Sequence, residues 1–343
     1  VVSSQCLIPG HLRVGQVILP YCELGLVGTL EPWRGQGLAS AMMAGCHADL
    51  HRRGALLTLI AGIPYFYRRY GYEYAIPLDA HHLLELDQAP AEADGFAFRL
   101  AGAADAERLT CWRDETVAAH DLTSLRSPAI WHYQLADSAG SGYEAETWLV
   151  SRGDETLGYA RVFFHGFGTG LIIGESSTLP EGADLAFLAH ARRLAIRRGK
   201  PHLRLDLPAG HPLVRTAYGL GGRFHSLYAW QVRIADATAF LTALAPELER
   251  RADGLTAQVH LDLYRETVAI AFEAGRVVSV GRPAGEPTLR LHLPPTLLAP
   301  LALGYRTLAK IREFYPDAFV DVGDAGIIEQ LFPALDAWVH PVY

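Results

Sequence analysis

The sequence has little cysteine, little lysine, no asparagine and no long apolar segment. Its four cysteines, Cys6, Cys22, Cys46 and Cys111, stand far apart and form no CxxC pair. A zinc site or a disulfide framework needs closer or paired spacing, so we expect free thiols and no metal. There is no apolar run of the 18 residues that a membrane helix needs, and no signal peptide opens the chain. The sequence therefore predicts a soluble, cytoplasmic protein with no membrane partner.

Positive charge is also scarce. Two of the 30 basic residues are lysine, and the net charge is −7. This balance argues against nucleic-acid binding, which requires a basic surface, and is compatible with cationic small substrates. Half of the residues are hydrophobic and 20% are charged, which predicts a large packed core rather than a disordered chain. A length of 343 residues predicts two or three domains.

Strands and helices alternate over the first 80 residues, which is typical of an α/β unit. Residues 14–30 are expected to form a β-hairpin whose turn lies between Leu19 and Cys22. Residues 36–53 have the apolar periodicity of a helix, which places His47 on its exposed face.

Composition and periodicity divide the chain into three predicted regions: residues 1–85, 86–235 and 236–343. The first is the α/β unit. The second opens with a loose Ala/Asp/Glu-rich linker at 86–104 and continues with further strands and helices. The third has strands of alternating apolar residues followed by short helices. The predicted class is α/β (α+β).

The turn Arg34-Gly35-Gln36-Gly37 leads from a strand into a helix and is the most informative segment. Amide groups at a helix start lack acceptors and the helix dipole is positive there, so a phosphate fits. The glycines allow close approach of the backbone, and Arg34 can add a charged donor. Ser40 stands where GxGxxG would need a third glycine, and no GK[ST] follows. The turn alone is equally compatible with a phosphate site and with a purely structural turn.

This turn fits R/Q-x-x-G-x-G/A and follows the strand "LGLVGTL", so it resembles the pyrophosphate loop of the GCN5-related N-acetyltransferases (GNAT). "PYFYRRYGYEYA" (64–75) resembles the later motif of that family, in which a tyrosine lies beside the coenzyme sulfur. The layout, with "LFPALDAWVHPVY" (331–343) at its end, is similar to the enhanced-intracellular-survival (Eis) type. Members of that type carry a catalytic acetyltransferase domain, a degenerate second one and a sterol-carrier-like domain. The resemblance spans the whole chain and is most specific over residues 24–75.

The resemblance implies a mixed sheet with flanking helices and acetyl-CoA as co-substrate, held between two splayed parallel strands. It implies that the strand backbone from Val27 to Thr29 bonds the pantetheine arm, and that the Val27 N–H stabilises the developing oxyanion. The coenzyme-binding residues implied by the resemblance are Val27, Gly28, Thr29, Arg34, Gly35, Gln36, Gly37, Leu38, Ala39, Ser40, Gly62 and Ile63.

The resemblance also implies direct attack of a primary amine on the thioester. Tyr67 matches the general acid of the family, and a phenol with an ordinary pKa of about 10 holds its proton at neutral pH. Two groups are candidates for the base. Eis-type enzymes use their C-terminal carboxylate, which here belongs to Tyr343; other members use a glutamate eleven residues before the loop, the position of Glu23.

The second region lacks the glycine turn, so we expect it to wall the acceptor pocket without binding coenzyme. The acceptor implied is an aminoglycoside-like polyamine or a lysine side chain, and the family implies a homo-oligomer, a hexamer in the Eis type. A lipid-binding, sterol-carrier-like protein with a vestigial acetyltransferase region is the first alternative, and a non-catalytic assembly protein is the second. The catalytic domain of the family begins with a strand and two helices ahead of Val1, so we expect the given chain to lack its N-terminal segment.

Overall fold

The strands coincide with the apolar runs of the sequence, and most helices begin after a glycine, proline or short polar residue. A computed structural model of the protein describes residues 1–166 and 168–340, with only the backbone of residues 79 and 80. The strands are β1 (Ser3–Val14), β2 (Val17–Thr29), β3 (Leu57–Ile60), β4 (Glu73–Glu85), β5 (Ala97–Leu100), β6 (Leu122–Ser124), β7 (Ala145–Arg152), β8 (Glu155–Phe163), β9 (Leu171–Ser176), β10 (His202–Asp206), β11 (Arg223–Ile234), β12 (Ala257–Asp262), β13 (Thr267–Glu273), β14 (Arg276–Gly281), β15 (Leu289–His292), β16 (Phe319–Val322) and β17 (Ala337–Trp338).

The α-helices are α1 (Leu38–Arg52), α2 (Ala106–Val117), α3 (Pro128–His132), α4 (Ala183–Arg197), α5 (Pro212–Gly219), α6 (Ala237–Ala252), α7 (Leu298–Ala302), α8 (Leu308–Phe314) and α9 (Ala325–Leu331). Short 3₁₀ helices lie at Glu31–Trp33, Phe66–Tyr70, Ala103–Asp105 and Pro295–Leu297. A π-helical turn spans Tyr133–Asp137. In the described part of the chain, no helix has the length and apolar character needed to cross a bilayer.

The chain divides into two compact units. Unit 1 contains residues 1–77, 120–125 and 229–340, and unit 2 contains residues 78–119 and 126–228. The long strands β4 and β11 each run from one unit into the other.

Unit 1 contains two β-sheets. The strand order in the first is β17–β6–β1–β2–β3–β11, with β2 and β3 parallel and β1 and β2 antiparallel. The second sheet has the order β14–β13–β12–β15–β16. The end of the chain is docked as far as it is described: β17 pairs with β6, and the Ser124 hydroxyl donates to the His340 carbonyl at 2.9 Å.

Unit 2 has the strand order β4–β10–β9–β8–β7–β5, in which β9 and β10 are parallel. Helix α4 contributes a long series of buried apolar residues to its core, from Ala183 to Ala195. The mixed α/β class predicted from the sequence is confirmed in both units.

Two local predictions were wrong. The hairpin turn lies at Gly15 and Gln16, so β2 is a single strand that continues through Pro20. Gly15 has a φ of +56°, a conformation that glycine adopts readily in a tight turn, so the turn forms there rather than between Leu19 and Cys22. The predicted linker at 86–104 contains β5, which pairs with β7 because its alternate residues have a neighbouring strand to pack on.

Candidate active site

The glycine turn forms an open N-terminus for α1. Gly35 and Gly37 have φ values of +79° and +77°, a conformation that L-residues with a Cβ rarely adopt. Gly37 is the N-cap of α1, and no side chain caps the helix there. A Cβ added at either glycine would meet nothing within 4 Å. The free amides of the first turn are therefore accessible to an external acceptor.

The strand before this turn is bulged. Leu26 has a φ of +51°, and the β1–β2 register shifts between the pairs Cys6–Gly25 and Ser4–Gly28. Bulges twist a strand and commonly lie next to active sites. The sequence analysis did not find this bulge, because a leucine carries no signal for positive φ.

The pairing of β2 with its parallel neighbour β3 ends before the bulge. The β2–β3 register runs only from Tyr21–Leu57 to Glu23–Leu59, whereas β2 continues to Thr29. Val27, Gly28 and Thr29 thus lie beyond the paired part of the two strands. Strand β3 itself ends at Ile60, so the splayed geometry that the resemblance implied stays a prediction.

Tyr67 is buried, with 4% of its surface exposed, in the 3₁₀ helix Phe66–Tyr70. Its ring lies so close to Gly62 that a Cβ there would overlap it. It contacts Phe66 and Tyr72 edge-on, with ring centroids 4.9 and 6.0 Å apart. Burial, followed by the neighbouring Tyr70, raises the pKa of Tyr67, so its hydroxyl keeps its proton at neutral pH.

One apolar cluster joins Tyr67 to β2, β3 and α1. Its buried members are Cys22, Leu24, Met43, Leu50, Ile60, Tyr67 and Tyr72, and Val27 packs against it. The catalytic candidate Tyr67 and the coenzyme candidate Val27 are therefore held by the same packed core.

Two hydrogen-bond contacts connect residues 64–75, here called the tyrosine-rich segment, to α1. The Ser40 hydroxyl lies 2.8 Å from the Tyr70 hydroxyl, and His47 Nε2 lies 2.9 Å from the Tyr72 hydroxyl. The prediction that His47 faces solvent was wrong: it is half-buried, and burial lowers its pKa to about 4. The sequence analysis missed both contacts because each joins residues at least 25 positions apart.

The remaining predicted residues are distributed as follows. Arg34 to Gly37 and Ser40 are exposed, Leu38 and Ala39 are half-buried, Gly62 is half-buried and Ile63 is exposed. Arg34 Nε donates to the Thr29 carbonyl at 3.2 Å, which holds its guanidinium beside the turn. Glu23 is a buried carboxylate on β2, with 4% of its surface exposed. Tyr343 lies outside the described residues.

Unit 2 repeats the order strand–helix–strand–helix with β9, α4, β10 and α5. Its helix α4 also begins after a glycine N-cap, Gly182, with a φ of +80°. However, Asp184 occupies the first turn, and burial raises its pKa to about 6. The Asp184 carboxylate at the start of α4 disfavours a phosphate there. At the start of α5, His211 Nδ1 accepts from the Leu213 amide, so its Nε2–H donates to the Ser176 carbonyl at 3.2 Å.

Within unit 1, a surface cavity of about 310 Å³ borders the tyrosine-rich segment. Its walls are Tyr65, Arg68, Glu73, Tyr74, Leu297, Pro300, Arg306, Phe314 and Tyr315. Arg68 is paired with Glu73 at 2.8 Å, which leaves the Arg306 charge in excess. This cavity therefore lacks the acidic lining that would attract a polycation. Among the residues described, no group of three or more His, Cys, Asp or Glu side chains is arranged to hold a metal.

Comparison with known proteins finds a family model that covers the segment carrying this site. Residues 1–75 match the family model described as an acetyltransferase (GNAT) domain. No curated protein matches the chain.

Several solved structures have the same fold over nearly the whole chain. A GCN5-related N-acetyltransferase from Anabaena variabilis has a TM-score of 0.69 at 15% identity, over 98% of this chain and 85% of that one. A conserved protein of unknown function, probable N-acyltransferase, from Enterococcus faecalis has a TM-score of 0.70 at 19% identity, over 100% and 86%. Eis1 from Mycobacterium abscessus has a TM-score of 0.64 at 18% identity, over 98% and 86%.

Proposed function

We propose that the chain is an acetyl-CoA-dependent N-acetyltransferase whose GNAT domain, matched over residues 1–75, transfers acetyl to a primary amine by direct attack on the thioester. The observation that carries this proposal is the open glycine turn at the start of α1, in the same domain as the buried, protonated Tyr67. In a vestigial domain we would not expect uncapped helix amides and two glycines at positive φ to be retained.

The residues present fit a coenzyme carrying a diphosphate. Amides from Gly35 to Ser40 would hold the diphosphate, and Arg34 would add a charged donor. The backbone of residues 27–29 would bond the pantetheine arm where β2 continues beyond its pairing with β3. Gly62 and Ile63 are proposed as further contacts. Acetyl-CoA supplies the activated acetyl group.

Tyr67 is the proposed general acid. Its raised pKa keeps the proton available for the departing thiolate sulfur. The Val27 N–H is proposed to stabilise negative charge that develops on the thioester oxygen. Both groups are positioned by the same apolar cluster, which limits their motion relative to each other.

Two carboxylates remain candidates for the base that receives the amine proton. The Tyr343 carboxylate is supported by the docked tail, which is buried at Val339 and hydrogen-bonded at His340. Glu23 is supported by its burial on β2, where it is the last residue paired with β3 and lies four positions before Val27. We favour Tyr343, because the resemblance is to the Eis type and the tail is docked as far as Val339 and His340.

The acceptor class, the division at residues 85 and 235, and a cytoplasmic homo-oligomer of hexamer type also remain proposals. We infer a polyamine or a lysine side chain as acceptor from the net charge and from the resemblance to the Eis type. The lipid-carrier alternative rests on the sterol-carrier-like third region, residues 236–343.

The test is release of free thiol from acetyl-CoA by the full chain, with a panel of polyamine antibiotics and lysine peptides as acceptors. Three proteins are compared: the parent chain, Glu23→Gln, and a chain with one residue added after Tyr343. Loss of turnover only in the extended chain assigns the base to Tyr343, and loss only in Glu23→Gln assigns it to Glu23. No turnover with any amine, together with no acetyl-CoA binding, refutes the enzyme and favours the lipid carrier.

A further inference from the structure

A row of polar side chains crosses the middle of the unit 2 sheet. Thr147 on β7 pairs with Arg161 on β8, and Arg161 pairs with Glu175 on β9. Residues directly opposite each other on neighbouring strands project to the same face. All three are buried, with at most 3% of their surface exposed. The row is therefore a polar strip inside the core of unit 2.

Positive charge exceeds negative charge around this strip. Arg126 holds both oxygens of Glu175, at 2.9 and 2.8 Å, and Arg161 Nη1 lies 3.7 Å from the same carboxylate. Arg113 is also buried in unit 2, and burial, followed by the charge of Arg126, lowers the pKa of its guanidinium. Tyr159 donates to Glu175 at 2.6 Å and stays neutral because burial raises its pKa. Two guanidinium groups, those of Arg126 and Arg161, thus share one carboxylate, which leaves an excess of one positive charge.

Several buried donors around the strip have no partner on the described protein. They include Nε and Nη2 of Arg161, Nε of Arg126 and the indole N–H of Trp131. The Thr147 hydroxyl and both polar atoms of the Gln134 amide are also unpaired. The centre of the Trp131 ring lies 4.5 Å from the guanidinium carbon of Arg126 and 5.4 Å from that of Arg161. Buried polar atoms are almost always hydrogen-bonded, so this group of donors calls for a ligand.

The backbone beside the strip is irregular as well. Helix α3 passes directly into the π-helical turn Tyr133–Asp137, which carries Gln134 and packs against β7. Turns of this kind are rare and occur frequently at functional sites.

We propose that unit 2 contains a buried binding site for one small carboxylate anion, held by the free guanidinium edge of Arg161 with Arg126 Nε and Trp131 Nε1 as further donors. A bound carboxylate accepts hydrogen bonds from these donors and also neutralises the excess positive charge, whereas water can only accept the hydrogen bonds. Its two oxygens match the paired N–H groups of a guanidinium better than a spherical anion does. Glu175 acts as a positioning residue that orients Arg126.

The test is equilibrium urea unfolding of the full chain in increasing acetate, with chloride replacing acetate at constant ionic strength. Unfolding opens the buried site, so the anion equilibrates even where exchange in the folded state is slow. We expect the urea midpoint to rise with acetate concentration and to follow a saturable binding curve. Identical midpoints in acetate and chloride overturn the proposal.

Two variants separate this site from general salt effects. Arg161→Leu removes the unpaired donors and should abolish the difference between acetate and chloride. Arg152→Leu removes an arginine that stacks on Phe96 at the exposed end of β7, and it should keep that difference. If Arg161→Leu does not fold, Arg161→Lys replaces it, because lysine keeps the charge but lacks the paired donors. An acetate effect that survives in both Arg161 variants refutes the assignment.

Discussion

Replacing Gly37 by alanine separates the role of the turn in binding from its role in folding. Gly37 has a φ of +77° and caps α1, and an added Cβ would meet no atom within 4 Å. The substitution therefore introduces no clash, and its only direct effect is on the backbone conformation.

The expected loss of stability is small. An L-residue in the left-handed region costs about 1–2 kcal/mol. Alanine also lowers the entropy of the unfolded chain, which returns about 0.4–1 kcal/mol. The net destabilisation is therefore at most about 1.6 kcal/mol.

The expected loss of coenzyme affinity is larger. If residue 37 relaxes away from positive φ, the amides that follow it turn away from the diphosphate. A hydrogen bond to a charged group contributes about 1.5–3 kcal/mol, which corresponds to a roughly 10- to 150-fold weaker Kd for each bond lost.

The assay is isothermal titration of acetyl-CoA into the parent chain, Gly37→Ala and Gly54→Ala. Gly54 follows the other end of α1 with a φ of +74° and the same open surroundings, so it matches the backbone cost without touching the turn. We expect both variants to unfold at similar urea concentrations and only Gly37→Ala to lose affinity. Equal affinity in all three proteins would refute the diphosphate site.

Three further predictions concern the tyrosine-rich segment and two residues in contact with it, Gly62 and His47. Tyr67→Phe should lower kcat about 10²- to 10⁴-fold in the thiol-release assay, whereas Tyr72→Phe should mainly lower stability by about 1 kcal/mol; similar rates in both would exclude Tyr67 as the acid. Gly62→Ala should displace the Tyr67 ring and cost about 1–3 kcal/mol in urea unfolding with a loss of kcat, and unchanged kcat would contradict the packing argument. Because the pKa of His47 falls from 6.5 to about 4 on folding, the unfolded chain binds the extra proton between these values. Stability should therefore fall as pH drops through that window, by about 1 kcal/mol after allowance for its partial exposure, and His47→Gln should remove that part of the pH dependence.

Local signals in the sequence were sufficient for the elements that border the site. Helix α1 was predicted at 36–53 and occupies Leu38–Arg52, because apolar periodicity and the flanking glycines fix both ends. Gly35 and Gly37 have the positive φ that a close phosphate turn needs, and Tyr67 lies in the predicted aromatic segment. The mixed α/β class followed from the alternation of strands and helices.

Contacts between distant segments could not be predicted in the same way. The bulge at Leu26 depends on how β1 and β2 register over their whole length, and the burial of His47 depends on Tyr72 closing over α1. The sequence by itself determined the glycine turn and the periodicity of its helix, because φ preferences and amphipathicity are properties of neighbouring residues. Only the tertiary structure decided which side chains are desolvated together, such as Tyr67 on Gly62 or Arg161 beside Glu175, because burial and pairing arise from residues that the chain brings together from far apart.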